Sequence, residues 1–304
     1  MYDVILWGVG TGYDEFVKYN GYDKVNVIAV VDQIWCKYIA NVDGIPVIDL
    51  DLAITLNWDY IVVTTKEKNT FENIVSDALK IGIVRDKIVP LRVFEIPFFD
   101  FNEYVAIKES NISIIADYCY GGLLSYKFGL PFRSPTVNMF CDNENYYKFI
   151  CNLEKYLNMP FDEVNDTVGN RYLSYTYPRG KLGGVEWCFN HSDTFGEAVI
   201  KWNERVRRFN YTNYIVMMCI DTDEMAYRFD ELEIKNKVGF YWKEMDDVKS
   251  VVCVHGWNNP AVRHKVGYNF PNYINELVKG NIGLRDIDWM KLMKCDFSNV
   301  NRTL

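Results

Sequence analysis

The sequence predicts an α/β protein, with a parallel sheet at the N-terminus and a second α/β domain behind it. Three observations carry that expectation. An apolar run, Val4-Ile5-Leu6-Trp7, leads straight into the glycine-rich turn Gly8-Val9-Gly10-Thr11-Gly12. A second apolar run, Val25 to Val31, ends in Asp32, at the spacing of about twenty residues that separates turn and acid in nucleotide-binding folds. After that, apolar runs keep alternating with amphipathic ones, and strands separated by helices imply a parallel sheet. Strand, glycine turn and trailing acid together are the layout of a Rossmann-like mononucleotide half.

That layout has a chemical reason. Gly8, Gly10 and Gly12 let the backbone approach a phosphate, with N–H groups at a helix N-terminus pointing at it. Asp32 is placed to accept from a ribose hydroxyl. The expected ligand is a nucleotide or nucleotide-sugar, ahead of NAD or coenzyme A. Tyr13 stands where the fingerprint has its third glycine, and a tyrosine there holds the helix off the strand or narrows the phosphate pocket. The competing reading is a module that has kept the fold and lost the nucleotide.

The remaining elements follow in order. Asp43-Gly44 is a turn before a short strand at Ile45-Pro46-Val47-Ile48. Residues 49–56 read as a short helix capped by Asp49. Asp59 to Thr64 is a buried strand. Residues 69–81 are an amphipathic helix with Phe71, Ile74, Val75, Ala78 and Leu79 on one face, stopped by Gly82. Val84 to Leu91 is one more strand. Residues 92–110 connect the domains, with Phe98-Phe99-Asp100-Phe101 expected to pack between them. The second half opens on the buried strand Ile112 to Ala116, followed by a Gly-Gly turn and a helix. Helices are expected at 143–157, 194–209, 224–232 and 272–279, and strands at 184–189, 213–220 and 249–255.

Length supports two domains, 1–105 and 106–304, because single cores seldom grow far past about 250 residues. The net charge of −8 argues against non-specific nucleic-acid binding and against an anionic membrane surface. Eight cysteines without a C-x-x-C pair, several inside apolar runs, read as reduced buried thiols. With no signal segment and no apolar stretch of the roughly 18 residues a span needs, a cytoplasmic protein without membrane insertion is expected. An aromatic content of 16% reads first as core.

Ligands gather at the carboxyl ends of strands in open α/β sheets, and four segments of the second half qualify. Cys119 follows a strand and precedes Gly121 and Gly122 at a helix start, where the helix dipole is expected to lower a thiol pKa. His191, in Phe189-Asn190-His191-Ser192-Asp193, is a candidate base for Cys119; Asp193 or Ser192 is the expected helix cap, with Glu197 in the first turn. Asp221 and Asp223 form an acid-x-acid pair that either holds a divalent metal or caps a helix. His255, with Trp257 and two asparagines, suits a polar ligand such as a sugar. Arg205 and Arg208 are expected to share a helix face that either lies solvated and paired with acids or clamps a phosphate.

Two resemblances emerge at these residues. The stretch from Val4 to about Leu91 resembles the Rossmann-like module found beside sugar-modifying enzymes of bacterial surface polysaccharides. It does so in the strand into Gly8-Val9-Gly10, in Val30-Val31-Asp32, in Gly44-Ile45-Pro46-Val47-Ile48, in Asp59 to Val63 and in Gly82-Ile83 to Ile88-Val89. In related acyltransferases such a module holds a nucleotide-sugar. The stretch from about Ile112 to Asp221 resembles a bacterial family of unknown function labelled exopolysaccharide biosynthesis protein. Its motifs are Cys119-Tyr120-Gly121-Gly122, Gly129-Leu130-Pro131-Phe132, Ser134-Pro135-Thr136, Tyr177-Pro178-Arg179-Gly180-Lys181-Leu182, Phe189-Asn190-His191, Glu197-Ala198 and Trp202-Asn203 through Asn210. Tyr118 departs from the small polar residue expected before the cysteine.

The functional expectation is a transferase that modifies a sugar in surface-polysaccharide biosynthesis, using a nucleotide-containing donor and a small-molecule or sugar substrate. Cys119 and His191 would line its transfer site. Two other readings stand beside it: an NAD-dependent oxidoreductase resting on Gly8, Gly10 and Asp32, and a non-catalytic nucleotide sensor or scaffold.

Overall fold

Val4, Ile5 and Leu6 have no exposed surface, and Ala29, Val30 and Val31 almost none. Runs apolar on both faces can only be central strands of a covered sheet. In the computed structural model, which describes residues 1–169, 176–282 and 287–297, they are β1 (Asp3–Trp7) and β2 (Asn26–Val31), paired in parallel. The chain divides into two compact units, residues 1–106 and Ile107 onward.

In the first unit α1 (Thr11–Lys18) links β1 to β2. There follow β3 (Asn41–Val42), β4 (Ile45–Ile48), α2 (Leu50–Ala53), β5 (Tyr60–Val63), α3 (Lys68–Lys80) and β6 (Ile88–Pro90). The sheet order is β3-β4-β2-β1-β5-β6, and only the β3–β4 pair is antiparallel. The five parallel strands thus reverse direction of growth at β1, the arrangement in which a crevice opens at the strands' carboxyl ends. Asp49 caps α2 by accepting from Leu52 N at 2.8 Å, as expected. The strand expected over 84–91 shrinks to three residues, because Arg85–Lys87 form a 3-10 turn first.

The connector holds more structure than expected. A 3-10 segment at Leu91–Glu95 leads to α4 (Phe101–Glu109), and the boundary between units falls inside that helix. Phe99 and Phe101 join an aromatic cluster of the first unit itself, with Phe94, Tyr60 and Tyr104 at centroid distances of 4.9–5.9 Å.

The second unit is built on a four-stranded parallel sheet, β13-β12-β11-β7, formed by β7 (Ser113–Ala116), β11 (Tyr214–Cys219), β12 (Lys237–Tyr241) and β13 (Val251–Cys253). Between β7 and β11 lie α5 (Tyr120–Lys127), α6 (Asn143–Cys151), α7 (Leu153–Leu157), an antiparallel sheet of β8 (Asp162–Gly169), β9 (Thr176–Leu182) and β10 (Val185–Cys188), and α8 (Phe195–Val206). Asn152 breaks the helix expected over 143–157 into α6 and α7. Later come α9 (Asp223–Asp230), α10 (Pro260–Lys265), α11 (Phe270–Lys279) and α12 (Trp289–Met293). Tyr146, Phe149, Trp187, Trp202 and Phe229 fill one core, so the aromatic excess is chiefly packing. No described helix is long and apolar enough to cross a membrane.

Polar groups inside this core stitch β7 to β11. The Tyr146 hydroxyl lies 2.9 Å from both Ile115 O and Met217 O. Asp117, fully buried, accepts from Cys219 N at 3.0 Å and from the Tyr120 hydroxyl. Burial pushes its carboxyl up to about 7, against the two hydrogen bonds that favour the anion. A carboxyl raised on folding binds its proton more tightly in the native state. Its contribution to stability is therefore present at low pH and is lost as pH rises from about 4 to about 7. Relative to Asp117→Asn, the wild-type chain should lose roughly 1 kcal/mol of stability per pH unit across that window and none above it. Urea unfolding of both proteins between pH 5 and 8 checks this, and parallel pH profiles would refute it.

Candidate functional site

The candidate chemistry of the second unit sits where two strands end. β7 stops at Ala116 and is followed by Asp117, Tyr118 and Cys119, and Cys119 is the N-cap residue of α5. β10 stops at Cys188 and is followed by Phe189, Asn190 and His191. Residues 140–141 hold these two ends together. Phe140 and Cys188 exchange backbone hydrogen bonds of 3.1 and 2.8 Å, while Cys141 N donates to Asp117 O at 3.2 Å. The Tyr118 ring stacks on Phe140, with centroids 5.4 Å apart and planes 20° from parallel.

This arrangement places Cys119 Sγ 3.5 Å from His191 Nε2 across 72 residues of sequence. Asn190 Nδ2 donates to the same sulfur at 3.8 Å. The opposite atom of that amide, Asn190 Oδ1, is buried with no partner among the described residues. The sequence pointed to the cysteine and the histidine but not to the asparagine, whose only signal was its place beside His191.

Burial sets the protonation of the pair. It raises the Cys119 thiol, opposed by the Asn190 N–H and the charge of Lys279. It lowers the His191 imidazole. Each shift favours the neutral form, so the resting pair is thiol and imidazole. The lowered thiol pKa expected from the helix dipole is reversed, because removing a thiolate from water costs more than a two-turn helix supplies.

His191 also lines a narrow cleft with Val137, Ser192, Lys201 and Arg205. Arg205, largely buried, donates from Nη1 to Val137 O at 2.6 Å and has no carboxylate partner among the described residues. Lys201 is neutralised by Glu197. Arg208 lies beyond the end of α8 and is exposed, so the expected two-arginine helix face is not formed. The cap of α8 is Thr194, which accepts from Glu197 N at 3.2 Å, in place of Ser192 or Asp193.

Other candidates lie elsewhere or do other work. His255 follows β13, at the opposite edge of the four-stranded sheet from β7. There it contacts Cys253 Sγ (3.6 Å) and Glu244 (3.4 Å). Gly121 and Gly122 are packing glycines: a Cβ would meet Ala116 Cβ at 2.7 Å from the first and Val137 Cγ1 at 3.0 Å from the second. Asp223 is engaged by the Tyr241 hydroxyl (2.7 Å) and by Lys243, and Thr222 caps α9. Among the described residues no three His, Cys, Asp or Glu side chains converge as a metal site, so Asp221 and Asp223 stand without a third ligand.

The glycine turn of the first unit is formed much as expected, with its duties redistributed. Gly8 has φ +118°, a conformation that requires glycine. Gly12, in the first turn of α1, is the close-approach residue: a Cβ there would sit 1.9 Å from Thr64 O, at the end of β5. Gly10 faces open space. Tyr13 therefore neither lifts the helix nor needs to be a glycine. Its hydroxyl donates to Asp43 at 2.6 Å and lies 2.5 Å from that of Tyr22. Asp32 accepts from Val9 N (3.3 Å), Ile34 N and Trp35 N (both 3.0 Å). Most of its acceptor capacity holds the turn itself.

Residues 91–290, more than half of the chain, match the family described as Domain of unknown function (DUF1919), and the chain belongs to that family. Residues 1–89 match a family described as C2185-like, N-terminal. An uncharacterized protein of Haemophilus influenzae is 29% identical over 155 residues, which make up 50% of this chain and 71% of that relative.

The two turn glycines should respond differently to an added methyl. Gly12→Ala forces α1 away from β5 and should cost about 1–3 kcal/mol, the usual range for overpacking. Gly10→Ala should change stability by less than about 0.5 kcal/mol. Thermal unfolding of the two variants distinguishes them, and equal melting temperatures would contradict the packing role of Gly12.

Proposed function

We propose that this protein is a transferase that modifies a sugar in bacterial surface-polysaccharide biosynthesis, drawing the group from a nucleotide-containing donor. The 3.5 Å approach of Cys119 Sγ to His191 Nε2 carries this reading, because a thiol within proton-transfer reach of an imidazole is the basic unit of covalent group transfer. The pathway is supported by the resemblance at the Cys119-Tyr120-Gly121-Gly122 and Phe189-Asn190-His191 motifs. The donor class is supported by Arg205, a guanidinium without a carboxylate partner in the cleft that His191 lines, and by the open N-terminal turn at Gly10.

Because both members of the pair rest neutral, His191 acts as a general base when the thiol attacks. The thiol proton passes to Nε2 as Sγ bonds to the electrophilic carbon of the donor, and the nucleotide phosphate leaves with its bonding electrons, next to Arg205. In the second half-reaction a sugar hydroxyl attacks that carbon. The imidazolium first releases its proton to solvent; Sγ then leaves with the electrons of the S–C bond, and the hydroxyl proton passes to Nε2 and from there to the sulfur, restoring thiol and imidazole. Asn190 stabilises the thiolate through its Nδ2.

UDP- and CDP-sugars, NAD, NADP and coenzyme A should be screened by thermal shift, since a ligand at 100 times its Kd adds about 2.7 kcal/mol. A nucleotide-sugar should stabilise the chain, and stabilisation by NAD alone would favour a dehydrogenase. With the stabilising donor, Cys119→Ala and His191→Ala should each lower transfer by about 100-fold or more while donor binding persists. Full turnover in both variants would sink the reading. Independently, iodoacetamide labelling of Cys119 should be slow at pH 7, should rise with pH later than a free thiol does, and should slow further in His191→Ala.

A further inference from the structure

We infer that the cleft between α10 and α11 binds an anionic carbohydrate, a sugar bearing a phosphate or a carboxylate. The cleft encloses about 360 Å³ and is lined by Lys265, Val266, Asn272, Asn275, Glu276 and Lys279. That volume lies within the range of small-ligand sites, roughly 300–1,000 Å³. Five of the six lining residues are polar and none is aromatic, which suits neither a nucleobase nor an apolar ligand.

Two features name the ligand class. The carboxylate of Glu276 is already answered by Lys279 Nζ at 2.7 Å and Asn281 Nδ2 at 2.6 Å. Lys265 carries no ion pair among the described residues, so two lysines face the one carboxylate of the lining and the cleft has a net positive charge. In addition Asn275 Oδ1 is buried with no donor among the described residues. A buried acceptor without a partner is costly and calls for one, and a ligand hydroxyl supplies it. A ligand that brings an anion and hydroxyls together is a charged sugar.

The position in the fold fits. α11 packs on α5, the helix that Cys119 caps, and Lys279 is near enough for its charge to act on the Cys119 thiol. The binding assignment does not depend on Cys119 being a nucleophile, and its test is kept separate from turnover.

Isothermal titration calorimetry of the full chain at low ionic strength tests it, with glucose 1-phosphate, glucuronate, glucose and inorganic phosphate as probes. Glucose 1-phosphate or glucuronate should bind at millimolar concentration or below, and whichever binds tells phosphate from carboxylate. Glucose and inorganic phosphate should each bind at least about tenfold more weakly than the charged sugar. The double variant Lys265→Gln/Lys279→Gln should lose about tenfold in affinity, as should Asn275→Leu, both with unchanged circular dichroism, while Cys119→Ala binds as the wild type does. Absence of heat with both charged sugars would overturn the assignment. So would equal affinity for phosphate with and without the sugar, or full binding by the folded lysine double variant.

Discussion

The candidate site depends on one piece of backbone pairing. Phe140 and Cys141 form an extended segment that bonds to Cys188 on one side and to Asp117 on the other. It joins the end of an antiparallel strand to the end of a parallel one, and the two strands belong to different sheets. Two residues beyond Asp117 stands Cys119; three beyond Cys188 stands His191. A slip of one residue in either pairing would turn the following side chains to the opposite face and separate sulfur from imidazole. Asp117 reinforces the arrangement from inside, since its side chain ties β7 to β11 while its carbonyl receives Cys141. The carboxyl is structural, and its raised pKa is the cost of being the tie.

Burial then decides the chemistry. The same low-polarity surroundings that hold Asp117 in its protonated form at mildly acid pH also raise Cys119 and lower His191. Desolvation disfavours whichever form is charged, so a single cause shifts all three groups toward their neutral forms. A pre-formed thiolate–imidazolium pair would have needed stronger compensation than one asparagine N–H and the charge of one lysine. The arrangement favours charge that appears only when a reaction partner supplies a countercharge, which is the condition under which electrostatic stabilisation goes to the transition state and not to the ground state.

Much of the architecture was legible in the sequence. Fully apolar runs marked β1, β2, β5, β7 and β11, because a strand covered on both faces has no polar alternation to disguise it. The rule that ligands gather at strand ends picked out Cys119 and His191. What escaped notice depended on partners remote in sequence. β12 was hidden because it begins with Lys237, a buried lysine whose ammonium donates to the carbonyls of Asp230 and Leu232, and carries Gly239 at its centre. The β8–β9 pair lacks the apolar runs that betray a core strand. Gly12, Gly121 and Gly122 show why a glycine motif is ambiguous: close approach to a phosphate and close approach to a neighbouring strand demand the same absent side chain. Asp32 showed the same ambiguity, since an acid that accepts from a ribose also accepts from its own turn.

Charge gives the site a preference that composition alone conceals. The chain carries a net charge of −8, which repels polyanions at long range. Near the Cys119–His191 pair stand two cationic groups. Arg205 shares a narrow cleft with His191 and has no carboxylate partner among the described residues, and the charge of Lys279 acts on Cys119 from α11; Lys265 lines a separate cleft with Lys279. Isolated cations on a chain of net negative charge attract small anions at short range, while a nucleic-acid backbone meets the overall negative field first. Low-dielectric walls strengthen the attraction where the ligand sits and leave it screened outside. Such a distribution selects for size as well as sign.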